Sequence, residues 1–280
     1  SGGGVNPNLL DNWFFGRPVN QRGQTEYTAV GYTVDRWKLD VGGAVTLEDG
    51  CICLKKSGTY WGQYFDNFEQ FIGMTLTGSV LLPDGTLRTG TFVYNGVVNQ
   101  GQTFFSSEIG FYIQKLSGSL SQCEINSNTD NVKIKAAKLE LGSTQTLAHK
   151  ENGVWVLNEV PDYGEQLARC QMYCVDVTPS LSYNSMYGGT LYTAGCDFLV
   201  PIPVTLRESG SAPVVICNPS EWQVAVVAAN AYFTPTSISV PQTASGAVVL
   251  RCLFSHSLSS QYCDLRKAVD SAKLLLSADL

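Results

Sequence analysis

Charge is scarce in this sequence. Asp, Glu, Lys and Arg make up 15% of its 280 residues, against roughly 25% in an average globular chain. Basic residues are the rarer sign, 18 Lys and Arg against 24 Asp and Glu, which leaves a net charge of −6. Nucleic-acid binding needs a basic stripe that displaces counterions from phosphates. The densest basic group here, Lys133, Lys135 and Lys138, alternates along an extended segment and reads as a solvated face. No nucleic-acid partner is expected. Long apolar runs are also missing. The best candidate, residues 224–233, is interrupted by Asn230 and falls short of the roughly 18 residues that span a bilayer, so no membrane insertion is expected. There is no charged n-region followed by an apolar h-region at the start.

The reactive residues are few. With two histidines, His149 and His256, bases for a nucleophile are short, and GxSxG, HExxH, Walker A and GxGxxG patterns are all absent. Glu48-Asp49 and the Asp66/Glu69 pair sit beside Gly and Asn and read as turn residues rather than as a glycosidase pair. We expect no enzyme activity and no catalytic residue. Cysteines number nine, at 51, 53, 123, 170, 174, 196, 217, 252 and 263, without a CxxC pair. Zinc is disfavoured, and no metal or cofactor is expected. Reduced thiols acting as small core residues, in a chain made in a reducing cytoplasm, are the reading adopted.

What the sequence has is apolar and turn-forming material: 44% hydrophobic, 11% aromatic, 27 Gly and 11 Pro. Residues 27–39, 72–82, 103–109, 110–116 and 132–141 are strand-length runs of β-branched and aromatic residues. Pro83-Asp84-Gly85 and Asn95-Gly96 punctuate them as turns. Strands at this spacing without interposed helices predict an all-β chain, an antiparallel β-sandwich of jelly-roll type over 1–145. A linker over 146–182 follows, with one helix at about 162–175. There Asp162 and Glu165 form a capping box and Tyr163, Leu167, Cys170 and Cys174 form one stripe. Residues 183–280 return to strands as a small C-terminal β domain. Within it, 223–233 reads as one strand, and the last residues fit either a helix or a closing strand.

Sugars are held by aromatic faces and planar polar side chains. In 60–67 (YWGQYFDN), alternation sets Trp61, Gln63 and Phe65 on one face and Tyr60 and Tyr64 on the other, and one of those sets must be core. Tyr183, Tyr187 and Tyr192 near Gly188-Gly189, and Trp222 after Asn218-Pro219, read as loop aromatics. Trp61, Tyr64, Tyr187 and Trp222 are the candidate glycan-binding residues.

Several segments share a common resemblance. Asn8-Leu9-Leu10-Asp11-Asn12-Trp13-Phe14-Phe15, Val19-Asn20-Gln21-Arg22-Gly23 and Tyr32-Thr33-Val34-Asp35-Arg36-Trp37 resemble the opening of a module in tail-fibre and receptor-binding proteins of bacteriophages and prophages. Ala137 to Ser143 (AKLELGS) and Cys170-Gln171-Met172-Tyr173-Cys174 are similar to that family's KLELG and CQRYY signatures, with Met172 and Cys174 replacing an Arg and an aromatic. Val204-Thr205-Leu206-Arg207 with Ala212-Pro213-Val214, and the ending Leu276-Ser277-Ala278-Asp279-Leu280, resemble its later strands. The resemblance implies a carbohydrate-binding-module-like jelly roll, a helical joint and a C-terminal β domain that closes on a strand. It further implies a homotrimer on a virion, assembled in the bacterial host cytoplasm beside other tail or capsid proteins and attached to a bacterial surface carbohydrate. It assigns Trp37 to the core, with Asp35 and Arg36 fixing a strand end, and carries over no binding residue. The glycine-led start fits a module at the end of a longer fibre. The alternative is a purely structural virion component, such as a head fibre, baseplate adaptor or decoration protein.

Overall fold

In the computed structural model, which describes residues 4–179, 187–208 and 210–280, strands hold 48% of the chain and helix 7%, so the architecture is β throughout. The chain divides into two units, Ser1–Leu167 and Ala168–Leu280, and the boundary falls inside the α-helix Tyr163–Gln171.

The first unit is the antiparallel sandwich. One layer is a six-stranded sheet in the order Gly31–Tyr32, Lys38–Val41, Tyr60–Phe65, Leu120–Ser127, Ile109–Ser117, Gln102–Ser106. Facing it across one core are a four-stranded sheet, ending on Val132–Ile134, and a three-stranded sheet, beginning on Ala136–Leu141. Those two strands are one run of chain passing between sheets at Lys135, whose N–H donates to Leu81 O at 2.9 Å and whose carbonyl accepts from Phe15 N–H at 2.9 Å. Strand alternation packs the interior: Trp61, Ile113, Cys123 and Ile125 point inward, and Trp61 stacks on Trp37 at 4.1 Å. Pro83-Asp84-Gly85 makes the expected turn, with Gly85 at φ 84° between the paired strands Thr75–Leu81 and Leu87–Val93.

Residues 8–12, 19 and 35–37 form a buried polar lattice in this unit. Asn12 stands in the left-handed region at φ 52°; its amide donates to the Val19 and Asp35 carbonyls and accepts from Val19 N–H, at 2.7 to 2.9 Å. Arg36 donates from Nε to Asp11 Oδ2 and from Nη2 to Tyr64 O, both at 3.1 Å, and Trp37 Nε1 donates to Asn12 O. Asn8 accepts from Leu10 and Leu139 N–H and donates to Ala137 O. Lys138 is a correction. It is only 2% exposed, not on a solvated face, and its ammonium donates to Thr146 Oγ1, which in turn donates to the buried Glu140 carboxylate. Desolvation without such partners would be costly, which is why Lys138 and Glu140 sit together.

Two further expectations are revised. The 27–39 run is broken into Glu26–Tyr27, Gly31–Tyr32 and Lys38–Val41. The stretch expected as linker carries a hairpin, Ala148–Glu151 with Val154–Leu157, and His149 belongs to it.

In the second unit, a seven-stranded antiparallel sheet runs Ala231–Phe233, Trp222–Val226, Tyr262–Lys267, Tyr187–Tyr192, Gly195–Pro201, Ala247–Leu253, Ser237–Ala244. It shares a core with a three-stranded sheet of Cys174–Asp176, Leu275–Ser277 and Val214–Ile216. The helix begins at the expected cap, Glu165 N–H donating to Asp162 Oδ1 at 2.9 Å. It ends at Gln171 rather than near 175, because Cys174 already pairs with Ser277. That pairing also makes the last residues a strand. The 223–233 run turns back on itself at Asn230, φ 50°, so that Val224 pairs with Phe233. The sulfurs of Cys196 and Cys263 meet across Gly189. A methyl group on Gly189 would lie 2.8 Å from Cys196 Sγ, so the side-chain-free position is what lets the two sulfurs approach over the intervening strand.

Candidate functional site

The outward face of the six-stranded sheet is where polar and aromatic groups converge. Alternation turns Tyr60, Gly62 and Tyr64 outward on one strand, and Gln122, Glu124 and Asn126 on its neighbour. Cα pairing then sets Lys38, Gly62, Glu124 and Tyr112 in one row across four strands. Gly62 is required there, since a Cβ would lie 2.3 Å from Cys123 O and 2.6 Å from Glu124 Cγ. Its absence lets the Glu124 side chain lie across the strand.

Asp40 organises the floor. Its carboxylate accepts from Tyr64 Oη at 2.8 Å and from Gln122 Nε2 at 3.0 Å. Lys38 Nζ lies 4.0 Å from Asp40 and 4.8 Å from the Tyr64 ring centroid, and Tyr60 meets Tyr112 edge-to-face at 6.3 Å. Glu124 is 3% exposed, and its Oε2 has no hydrogen-bond partner. Burial, with the Asp40 charge added, pushes its carboxyl up to about 8. Burial likewise raises the Tyr64 and Tyr112 phenols, Tyr64 with the help of its bond to Asp40. Glu124 therefore carries its proton at neutral pH. Glu124 hydrogen-bonds to Asp40 and to Tyr112. The face is suited to holding a polar ligand against tyrosine rings.

Of the four aromatic residues expected to read a glycan, Tyr64 alone lies on this face, where it is 9% exposed with Lys38 Nζ over its ring. Trp61 and Trp222 are corrections: both are fully buried, and no sugar ring can stack on them. Trp61 packs on Trp37 and donates from Nε1 to Thr33 Oγ1 at 2.9 Å; Trp222 belongs to a strand of the second core, not to a loop. Tyr187 is half-buried and donates its hydroxyl to Val177 O at 2.8 Å, a structural bond. Tyr183 lies outside the described residues. Lys38, Asp40, Tyr112 and Glu124 were missed at the sequence level. The one signal for Glu124 was the polar set Gln122, Glu124, Asn126 alternating with Cys123 and Ile125.

The histidines are engaged elsewhere, His149 with Asn158 and Glu151, His256 with Tyr192 O and Leu258 N–H. Among the described residues, no group of three or more His, Cys, Asp or Glu is placed to hold a metal, and no helix is long and apolar enough to cross a membrane.

No family model, curated protein or solved structure matches this chain.

The site therefore stands on its own geometry. Replacing Gly62 with Ala is expected to cost about 1–3 kcal/mol through overpacking against the Cys123 carbonyl. It also pushes Glu124 off the floor. A thermal melt reads the first effect. A ligand titration of the folded variant reads the second.

Proposed function

We propose that the first unit is the glycan-reading module of a bacteriophage or prophage fibre, binding a bacterial surface carbohydrate for host attachment without cleaving it. The observation that carries this reading is the outward sheet face, where Tyr60, Tyr64 and Tyr112 surround Asp40, Gln122 and Glu124. Aromatic rings over planar hydrogen-bonding groups are what a sugar uses, and the ordered motifs resembling fibre modules point to the same setting. The chain acts as a homotrimer on the virion beside other tail or capsid proteins. Repeated weak sites then gain strength by avidity.

Fluorescently labelled chain, added to a panel of bacterial strains with soluble surface polysaccharides as competitors, tests this. The expected result is saturable, strain-restricted binding that one polysaccharide competes away and that Tyr60→Ala with Tyr112→Ala reduces at least about tenfold. Binding that survives the double substitution places the receptor site elsewhere.

One observation favours the second reading, a purely structural virion part. On the outward face of the seven-stranded sheet, Leu199, Tyr232 and Tyr262 are each at least half exposed. Such a surface suits another virion protein. A folded trimer that binds no strain would support that role.

A further inference from the structure

The tyrosine face already holds an ammonium group, its own. Lys38 Nζ lies 4.8 Å from the Tyr64 ring centroid, 5.7 Å from that of Tyr32 and 4.0 Å from Asp40 Oδ1. Ring faces beside a carboxylate are the usual way in which proteins recognise a cation. Lys38 does not complete the arrangement, however. Directly along its row, past the side-chain-free Gly62, the buried Glu124 Oε2 has no partner. Lys38 answers Asp40, while Glu124, hydrogen-bonded to Asp40 and Tyr112, keeps one oxygen, Oε2, unanswered. Its ammonium is carried on a flexible four-carbon stem, and the side chain is 29% exposed, so the head can leave for water while the stem stays on the sheet.

We propose that this is an ammonium-recognition subsite in which Lys38 is an internal placeholder, and that the glycan taken by the face carries a free primary amine. The inference rests on the tyrosine face being the glycan site. The incoming ammonium replaces that of Lys38 over Tyr64 and offers three donors, enough for Asp40 and for Glu124 Oε2 together. The groups facing Glu124 are Lys38, Asp40, Tyr60, Tyr64 and Tyr112 from the neighbouring strands and Gln122 on its own strand. Lys38 is the single cation among them. Because burial keeps Glu124 protonated at neutral pH, pairing it with an ammonium expels that proton to the buffer. The amine can belong to an amino sugar or to an amine-bearing substituent such as phosphoethanolamine.

Calorimetric titration of the full chain at about pH 6 with a glucosamine tetrasaccharide, its fully N-acetylated counterpart and cellotetraose tests the proposal. The free-amine sugar is expected to bind at least about tenfold more tightly than the other two. Lys38→Met, which removes the placeholder, is expected to tighten it by a further factor of about ten, and Glu124→Gln to erase the preference. Competition by O-phosphoethanolamine as effective as that of the amino sugar would assign the amine to a substituent. Equal affinity for the three sugars, or weaker binding by Lys38→Met, overturns the subsite and leaves the glycan reading standing. If none of the three binds and Tyr60→Ala with Tyr112→Ala leaves cell attachment unchanged, both readings fall.

Discussion

Replacing Asn12 with alanine is expected to destabilise the first unit by about 4 kcal/mol or more, a large part of the stability of a typical domain. Three buried hydrogen bonds go at once, leaving Val19 N–H, Val19 O and Asp35 O without their partner. Each such orphan costs about 1–3 kcal/mol. The left-handed backbone at φ 52° adds roughly 1 kcal/mol for any residue that lacks a short polar side chain. Asn131 separates the two contributions. It is also left-handed, at φ 55°, but exposed, so Asn131→Ala should cost about 1 kcal/mol at most. Asn12→Asp is expected to be no rescue. It keeps an acceptor for Val19 N–H but sets a carboxylate oxygen against two carbonyls that need a donor. Urea denaturation of the three variants checks the order, and equal costs for Asn12→Ala and Asn131→Ala would sink the lattice as an account of the motif.

The second large effect is a dependence on pH. Glu124 titrates at about 8 in the fold and near 4.3 in an unfolded chain. Below about pH 4 both states hold the proton, and the group contributes nothing. As pH rises from there, the unfolded chain releases its proton while the folded one keeps it, so stability falls until about pH 8 and then levels. At 1.36 kcal/mol per unit, the full shift sets an upper bound of about 5 kcal/mol. Glu124→Gln removes the titration. It is expected to match the parent near pH 4 and to exceed it by about 1–3 kcal/mol at pH 9. Chemical denaturation at several pH values reads this directly. A constant difference between parent and variant across the range would mean that Glu124 is ionised in the fold, and the floor of the site would have to be redrawn.

Strand periodicity made much of this legible in advance. The alternation of 60–67 separated Trp61 from Tyr64 correctly, yet it could not say which set was core. That is decided by partners: Trp61 meets Leu39 and Ile125 across the sheet and Trp37 in the interior. Glu124 was illegible for the same reason. Its meaning comes from lying opposite Gly62, on a strand some sixty residues away in sequence, and pairing register is a tertiary property. Lys138 reads as surface in the sequence because its spacing from Lys133 and Lys135 matches a solvated stripe. The chain crosses between sheets at Lys135, after which Lys138 faces Glu140 and Thr146 instead. The helix was placed correctly at its start, where Asp162 supplies a local cap. It was drawn too long at its end, where the pairing of Cys174 with Ser277 prevails over the apolar stripe.

The most direct test of the central claim is to watch the tyrosine rings themselves. In a chain with 13C-labelled tyrosines, the competing polysaccharide fragment is titrated and the aromatic signals are followed. Tyr60, Tyr64 and Tyr112 should shift together with one saturation curve, while Tyr187, held by its bond to Val177 in the other unit, stays in place. Saturable shifts confined to tyrosines of the second unit, with these three unmoved, would contradict the assignment of the glycan site to the six-stranded sheet.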